Sequence, residues 1–330
     1  MADALHQCCK VALAFAPPTW KLFADAPTPA PYYLMQYRTL GRTGLKVSVI
    51  GVGTWQLGGE WGRAYTSTDA REILTAAQSE GLNLIDTAEC YGDHLAERLI
   101  GETLPGQRQD WVIATKWGHK FHTCFKRDPC YQAADLLTQL EESLKALRTD
   151  YVDLLQFHSG NDDAFADEAM WTAARQAQAQ GKVRYLGNSI GANTNLKQTD
   201  ASTAVGVDVI QVIYNRLQRE PEVEVFPSCQ RQQLGVLARV PLASGLLSGK
   251  YLPGHIFPAN DVREVWQKKD RDTRLEEIGK IAATEVPAGL PMAQWALAWC
   301  LRHPAVTAVI PGCKDAAQVR ANAAAARTVA

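Results

Sequence analysis

From Tyr37 onward, short apolar runs alternate with longer amphipathic stretches. Strand-like runs recur at Val49–Gly53, Leu84–Asp86, Trp111–Thr115, Val152–Phe157, Val183–Leu186, Val209–Ile213, Gly235–Val240 and Val306–Ile310. Helical periodicity fills the intervals, over Asp69–Glu80, His94–Leu104, Ala133–Leu147, Asp167–Gln180, Thr194–Val205, Glu222–Gln233, Thr273–Glu285, Pro291–Arg302 and Asp315–Ala325. Thr68, Asp69 and Asp135 are the kinds of residue that start helices. Strands that alternate with helices imply parallel βα units. Eight units over about 280 residues predict a single α/β domain, a (β/α)8 TIM barrel. A doubly wound sheet is the other candidate, but no GxGxxG follows the first strand. Ahead of the units, Tyr37–Leu40 and Leu45–Val47 flank Gly41-Arg42-Thr43-Gly44, which predicts an N-terminal β-hairpin cap. The longest interruption, Leu242–Asp272, carries Arg263, Lys268, Lys269 and Arg271. It reads as a solvated loop or as a lid over an anionic cofactor.

Residues 1–34 break the pattern. Pro17, Pro18, Pro27, Pro29 and Pro31 stop any helix, and the start carries Asp3 without a clean apolar core or an arginine. The expectation is a disordered or spurious extension, with Met35 as a natural start and the barrel over 35–330. Net charge is 34 − 35 = −1, which gives no general attraction to nucleic acid or an anionic membrane. The eight cysteines include no CxxC pair, which argues against a disulfide framework or a zinc site and fits a reducing cytoplasm. No apolar run approaches the ~20 residues that span a bilayer.

In a barrel, chemistry sits at the C-terminal ends of the strands. Those ends carry Asp86, Lys116 and His158, and Tyr91 follows on the loop after Asp86. Alone, each has a dull explanation: a helix cap, a solvated edge, a satisfied polar group. On three consecutive strands they make chemical sense together. Lys116 is placed to stabilise a tyrosinate and lower the pKa of Tyr91, Asp86 to hold the lysine, and His158 to donate to a substrate oxygen. That is a proton donor for a carbonyl being reduced. Trp55, Trp61 and Trp117 follow strands one and three, where they line an apolar pocket or simply anchor loops.

Asp86-Thr87-Ala88-Glu89-Cys90-Tyr91-Gly92, with Lys116, His158 and the Gly-Arg-Thr-Gly hairpin, resembles the aldo-keto reductase family over roughly Gln36–Ala326. The resemblance implies NADP(H) bound without a Rossmann fold. It implies that Ser189, Gln211 and Asn215 hold the carboxamide. Leu242, Gly245 and Lys250 would lie in the loop over the pyrophosphate. Gly312, Lys314, Gln318 and Asn322 would sit at the adenosine end, with Lys314 pairing a 2′-phosphate. There are departures: Ile190 stands where the family often has Asn, Ala321 where it often has an acid, and Arg239 where a tyrosine often stacks on the nicotinamide. The expected partner is a small-molecule carbonyl substrate, with no nucleic acid or membrane and oligomeric state open. A non-catalytic, NADPH-binding regulatory subunit of an ion channel is the alternative. A metal-dependent hydrolase using Asp86, Glu89, His94 and His158 is a third reading, with a ligand set less complete than the tetrad; no metal is expected.

Overall fold

The computed structural model describes residues 35–266 and 269–328, so the expectations for residues 1–34 lie outside the described residues. An antiparallel hairpin, β1 (Tyr37–Thr39) and β2 (Lys46–Ser48), precedes strands β3 (Val52–Gly53), β4 (Leu84–Asp86) and β5 (Val112–Trp117). A second hairpin, β6 (His119–Thr123) and β7 (Lys126–Pro129), interrupts the series. The barrel resumes with β8 (Val152–His158), β9 (Val183–Ser189), β10 (Val207–Ile213), β11 (Gly235–Arg239) and β12 (Ala308–Val309). The eight barrel strands lie side by side in chain order, each pair parallel. Parallel bridges Ile50–Val309 and Gly53–Gly312 join the first and last strands and close the circle.

The outer layer contains α1 (Ser67–Ser79), α2 (Leu95–Gly101), α3 (Ala133–Leu147), α4 (Asp162–Phe165), α5 (Glu168–Ala179) and α6 (Leu196–Val205). It continues with α7 (Val225–Arg231), α8 (Val262–Trp266), α9 (Arg271–Thr284), α10 (Met292–Leu301) and α11 (Ala316–Ala323). The start of α1 shows why the sequence places it two residues late. Thr66 is the cap, and Asp69 sits at the third helical position, its carboxylate accepting from the Thr66 backbone in a reciprocal capping box.

Two apolar clusters follow from the alternation of strand side chains. Outward-facing residues such as Ile85, Ile113, Leu155, Phe157, Ile210 and Val236 pack beneath the helices. Inward-facing Leu84, Ala114, Leu154, Val209, Leu237 and Ala308 form a separate floor inside the barrel, completed from below by Leu40 and Val47 of the β1–β2 region. The hairpin therefore plugs the barrel from its N-terminal end. Gly41 makes this close approach possible: it sits at φ +51°, and a Cβ there would collide with the Gly235 backbone. Arg42 N–H donates to the Gln233 carbonyl at 2.8 Å beside it.

Three elements lay beyond the sequence pattern. The β6–β7 hairpin alternates polar residues without a core-facing apolar face, so it carries no periodic signal. Helices α4 and α8 are single short turns inside loops.

Candidate active site

The period of two along each strand that makes an apolar floor also makes a polar ceiling. Two residues beyond inward-facing Leu84 comes Asp86, beyond Ala114 comes Lys116, and beyond Leu154 come Gln156 and then His158. Val209 likewise leads to Gln211, and Leu237 to Arg239. The Lys116 ammonium donates to Asp86 Oδ1 and to the Thr87 carbonyl, each at 2.7 Å, and reaches Tyr91 Oη at 3.4 Å. The other Asp86 oxygen accepts from Gln211 Nε2 at 2.7 Å and Gln156 Nε2 at 3.2 Å. Ser189 Oγ donates to Gln211 Oε1 at 3.3 Å. Five residues on five strands thus form one network around a buried carboxylate and a buried ammonium, and a buried pair is stable only when its remaining valences are met this way. Gln156 belongs to no motif in the sequence. Its signal was its position, two residues before His158 on the same inward row.

Tyr91 lies against this ceiling. Its ring stacks on Trp55, with centroids 6.0 Å apart at 23°, and meets His158 edge-on at 6.3 Å. Its backbone is fixed by glycine: a Cβ on Gly58 would come within 2.6 Å of the Tyr91 carbonyl carbon. Gly92 leaves in the left-handed region at φ +68°.

Burial pushes the Tyr91 phenol up to about 12, and Lys116 offsets only part of that rise. The lysine acts in the expected direction but does not win, because the site is desolvated and Asp86 adds negative charge. Burial lowers Lys116, yet Asp86 and Tyr91 more than compensate and keep its ammonium raised. His158 is held well below its ordinary value by burial, then by Lys116, Arg239 and Arg127, so its imidazole is neutral at pH 7. Its carbonyl accepts from Tyr131 Oη at 2.9 Å, and His119 packs on its ring at 4.6 Å.

Above the strand ends, buried Glu60 binds the second hairpin to the loop after β3. It accepts from Trp55 Nε1 at 2.6 Å and the Phe125 backbone at 2.8 Å, and forms an ion pair with Arg127. Nothing in the sequence pattern marked Glu60 or Arg127. Of the three tryptophans, Trp55 and Trp61 lie together at this mouth, edge-on at 5.2 Å. Trp117 does not line a pocket. One residue past Lys116, it faces the other way and is fully buried between Phe157 and Trp171.

The groups that the family resemblance assigns to the cofactor occupy the loops after β9 to β12. Ser189 and Gln211 are buried in the ceiling network. Asn215 is spent on its own loop, donating to Gln218 Oε1 and the Val240 carbonyl, each at 3.0 Å, and accepting from Leu217 N–H. Arg239 donates to the Ile190 carbonyl at 3.2 Å, while its buried Nε has no hydrogen-bond partner. Leu242 is buried at the head of a 3-10 segment, Ala243–Ser248, in which Gly245 adopts φ +89°. Lys250 is exposed at its end. Lys314 pairs with Asp315 at 3.3 Å, and Gln318 Oε1 accepts from the Lys314 backbone at 2.9 Å. Asn322 is buried, its amide directed at the Gly312 carbonyl and Cys313 Sγ, each at 3.5 Å. Burial raises the Asp315 carboxyl, but the Gln318 backbone, Lys314 and Lys250 more than offset this and hold it low. Lys314 and Lys250, on different loops, thus both act on Asp315, and Arg239 at the end of β11 keeps a buried Nε without a partner. These residues fit an anionic, planar-ringed dinucleotide.

A sequence model described as "Aldo/keto reductase family" matches residues 49–329. The chain is 31% identical to "Aldo-keto reductase YhdN" of Bacillus subtilis (strain 168), covering 87% of each. It is 30% identical to a "Probable voltage-gated potassium channel subunit beta" of Arabidopsis thaliana, covering 87% of this chain and 90% of that one. The solved "aldo-keto reductase AKR11C1 from Bacillus halodurans (holo form)" superposes with a TM-score of 0.74 at 31% identity, over 88% of this chain and 90% of that one. Barrel, closing bridges, plug and matched span agree, and the chain belongs to the aldo/keto reductase family of oxidoreductases.

Proposed function

We propose that this oxidoreductase reduces aldehydes or ketones to alcohols with NADPH, and that Tyr91 is the general acid. The observation that carries the reading is the Lys116 ammonium, fixed by Asp86 at 2.7 Å and reaching Tyr91 Oη at 3.4 Å. A bound nicotinamide supplies the hydride. Tyr91 keeps its proton at Oη until charge develops on the carbonyl oxygen, then gives it up to that oxygen. Lys116 stabilises the phenolate left behind, and Asp86 with Gln156 and Gln211 keeps the lysine from moving away. Neutral His158 orients the carbonyl by donating from Nε2, with its Nδ1 accepting from the Cys90 thiol 3.7 Å away. Trp55 beside Tyr91 offers an apolar wall to the substrate.

In this reading Ser189 and Gln211 would hold the carboxamide, and Arg239 would stand beside the nicotinamide, where a cation would favour the neutral reduced ring. Leu242, Gly245 and Lys250 cover the pyrophosphate. Gly312, Lys314, Gln318 and Asn322 form the adenosine end, with Lys314 on the 2′-phosphate. We further place the enzyme in the cytoplasm. Among the described residues, no helix is long and apolar enough to cross a membrane.

Tyr91→Phe tests the reading. A well-placed general acid contributes roughly 10²–10⁴-fold, so the variant should lose most turnover while binding NADPH nearly as tightly as the parent. Undiminished turnover of the best aldehyde by Tyr91→Phe would remove Tyr91 from the mechanism. Likeness to a plant channel β-subunit supports a second reading, a regulatory subunit. A parent that binds NADPH but oxidises it with none of a panel of aldehydes, ketones, sugars and quinones would favour it.

A further inference from the structure

The reductase reading uses one edge of His158 and leaves the other beside two groups it does not need. Glu89, Cys90 and His158 present ligand atoms that all lie within 4.8 Å of one another. Cys90 Sγ is 3.7 Å from His158 Nδ1, and Glu89 Oε1 is 3.7 Å from the same nitrogen. Glu89 and Cys90 are each only 2% exposed. One Glu89 oxygen accepts from the His119 backbone at 3.0 Å; the other, Oε2, is buried and has no hydrogen-bond partner. A carboxylate oxygen in that position needs a cation or a donor.

The spacing suits a cation. Around a tetrahedral zinc-like ion, sulfur, nitrogen and oxygen ligands lie about 3.4–3.6 Å from one another. The separations of His158 Nδ1 from Cys90 Sγ and from Glu89 Oε1, the oxygen that also accepts from His119, need contract by only a few tenths of an ångström, and the third pair lies within 4.8 Å. Of the cations that act on His158, Lys116 is paired with Asp86 and Arg127 with Glu60, while Arg239 donates only to the Ile190 carbonyl. The geometry points to a site for one thiophilic divalent cation, ligated by Glu89 carboxylate, Cys90 thiolate and His158 Nδ1, with a fourth position open. On binding, the Cys90 thiol releases its proton to water as the sulfur–metal bond forms, and the ion gives up water ligands in exchange. No spacing motif pairs Cys90 with His158, 68 positions apart, and only the barrel brings them together.

Cobalt(II) chloride, titrated into the full chain kept reduced by a phosphine, tests this without reference to carbonyl turnover. To exclude other thiols, Cys8, Cys9, Cys124 and Cys130 are replaced by serine. One equivalent should give a thiolate-to-cobalt charge-transfer band and the visible bands of a tetrahedral ion, and zinc(II) should bleach both. In that background Cys90→Ser should abolish the charge-transfer band, and Glu89→Gln should weaken binding roughly tenfold or more. No thiolate band in the serine background overturns the site, and so does a band that survives Cys90→Ser. A reductase inactive for other reasons would still give the cobalt spectrum, so the two readings fail separately.

Discussion

Tyr91 and His158 are displaced in opposite directions by the same burial, and this sets the expected pH behaviour. Desolvation disfavours the charged form of each, so the phenol rises and the imidazolium falls. Below about 12 Tyr91 is protonated, and above its depressed value His158 is neutral. Both forms needed for reduction are therefore present together across the neutral range. The profile of kcat/KM for reduction should be level from pH 6.5 well into the alkaline range. A limb with its midpoint near pH 7 would assign the proton to some other group. At the other end of the proposed site, Lys314 is exposed and its nearest charge is Asp315, at 3.3 Å. Lys314→Ala should weaken NADPH binding several-fold and leave NADH binding nearly unchanged. Equal losses for both cofactors, read by fluorescence titration, would exclude a 2′-phosphate contact.

At the scale of elements, strand parity decides what each side chain does. Lys116 and Trp117 are neighbours on β5, yet one enters the ceiling network and the other packs with Phe157 and Trp171 beneath the helices. Trp117→Ala should cost about 3–5 kcal/mol of stability, measured by denaturant unfolding, and leave the order of preference among aldehydes unchanged. A reordering of that preference at unchanged stability would mean that the ring reaches substrate after all. The β6–β7 hairpin shows the reverse case. It contributes no strand to the barrel, but Arg127 and the Phe125 backbone bind it through Glu60 to Trp55, so it forms part of the mouth.

At the scale of the molecule, the barrel closes on itself from within the described residues. The bridges between β3 and β12 regions, the Leu40–Val47 plug and the Gln36 amide donating to the Ala326 carbonyl at 2.8 Å are all made from Met35 onward. We propose that residues 1–34 are dispensable. A chain beginning at Met35 should melt within a degree or two of the full chain, about the shift of a change under ~1 kcal/mol, and keep its activity. A large fall in melting temperature, or lost activity, would show that the first 34 residues contribute to the barrel.

The alternation of strands and helices, the plug hairpin and the strand ends that carry Asp86, Lys116 and His158 are legible along the chain, because each is written in local periodicity and in residue type. The Tyr91 loop was legible for the same reason. Whatever depends on residues far apart in the chain meeting is legible only in the folded protein. Gln156 and Gln211 converge on Asp86 from different strands. Glu60 joins two loops, and Glu89 and Cys90 come to lie against His158. The balance of pKa effects belongs here too. Residue types indicate that a lysine lowers a neighbouring phenol, but only the enclosure of Tyr91 shows burial to be the larger effect. Desolvation is a property of the surroundings that the folded chain creates, and no window of sequence contains it.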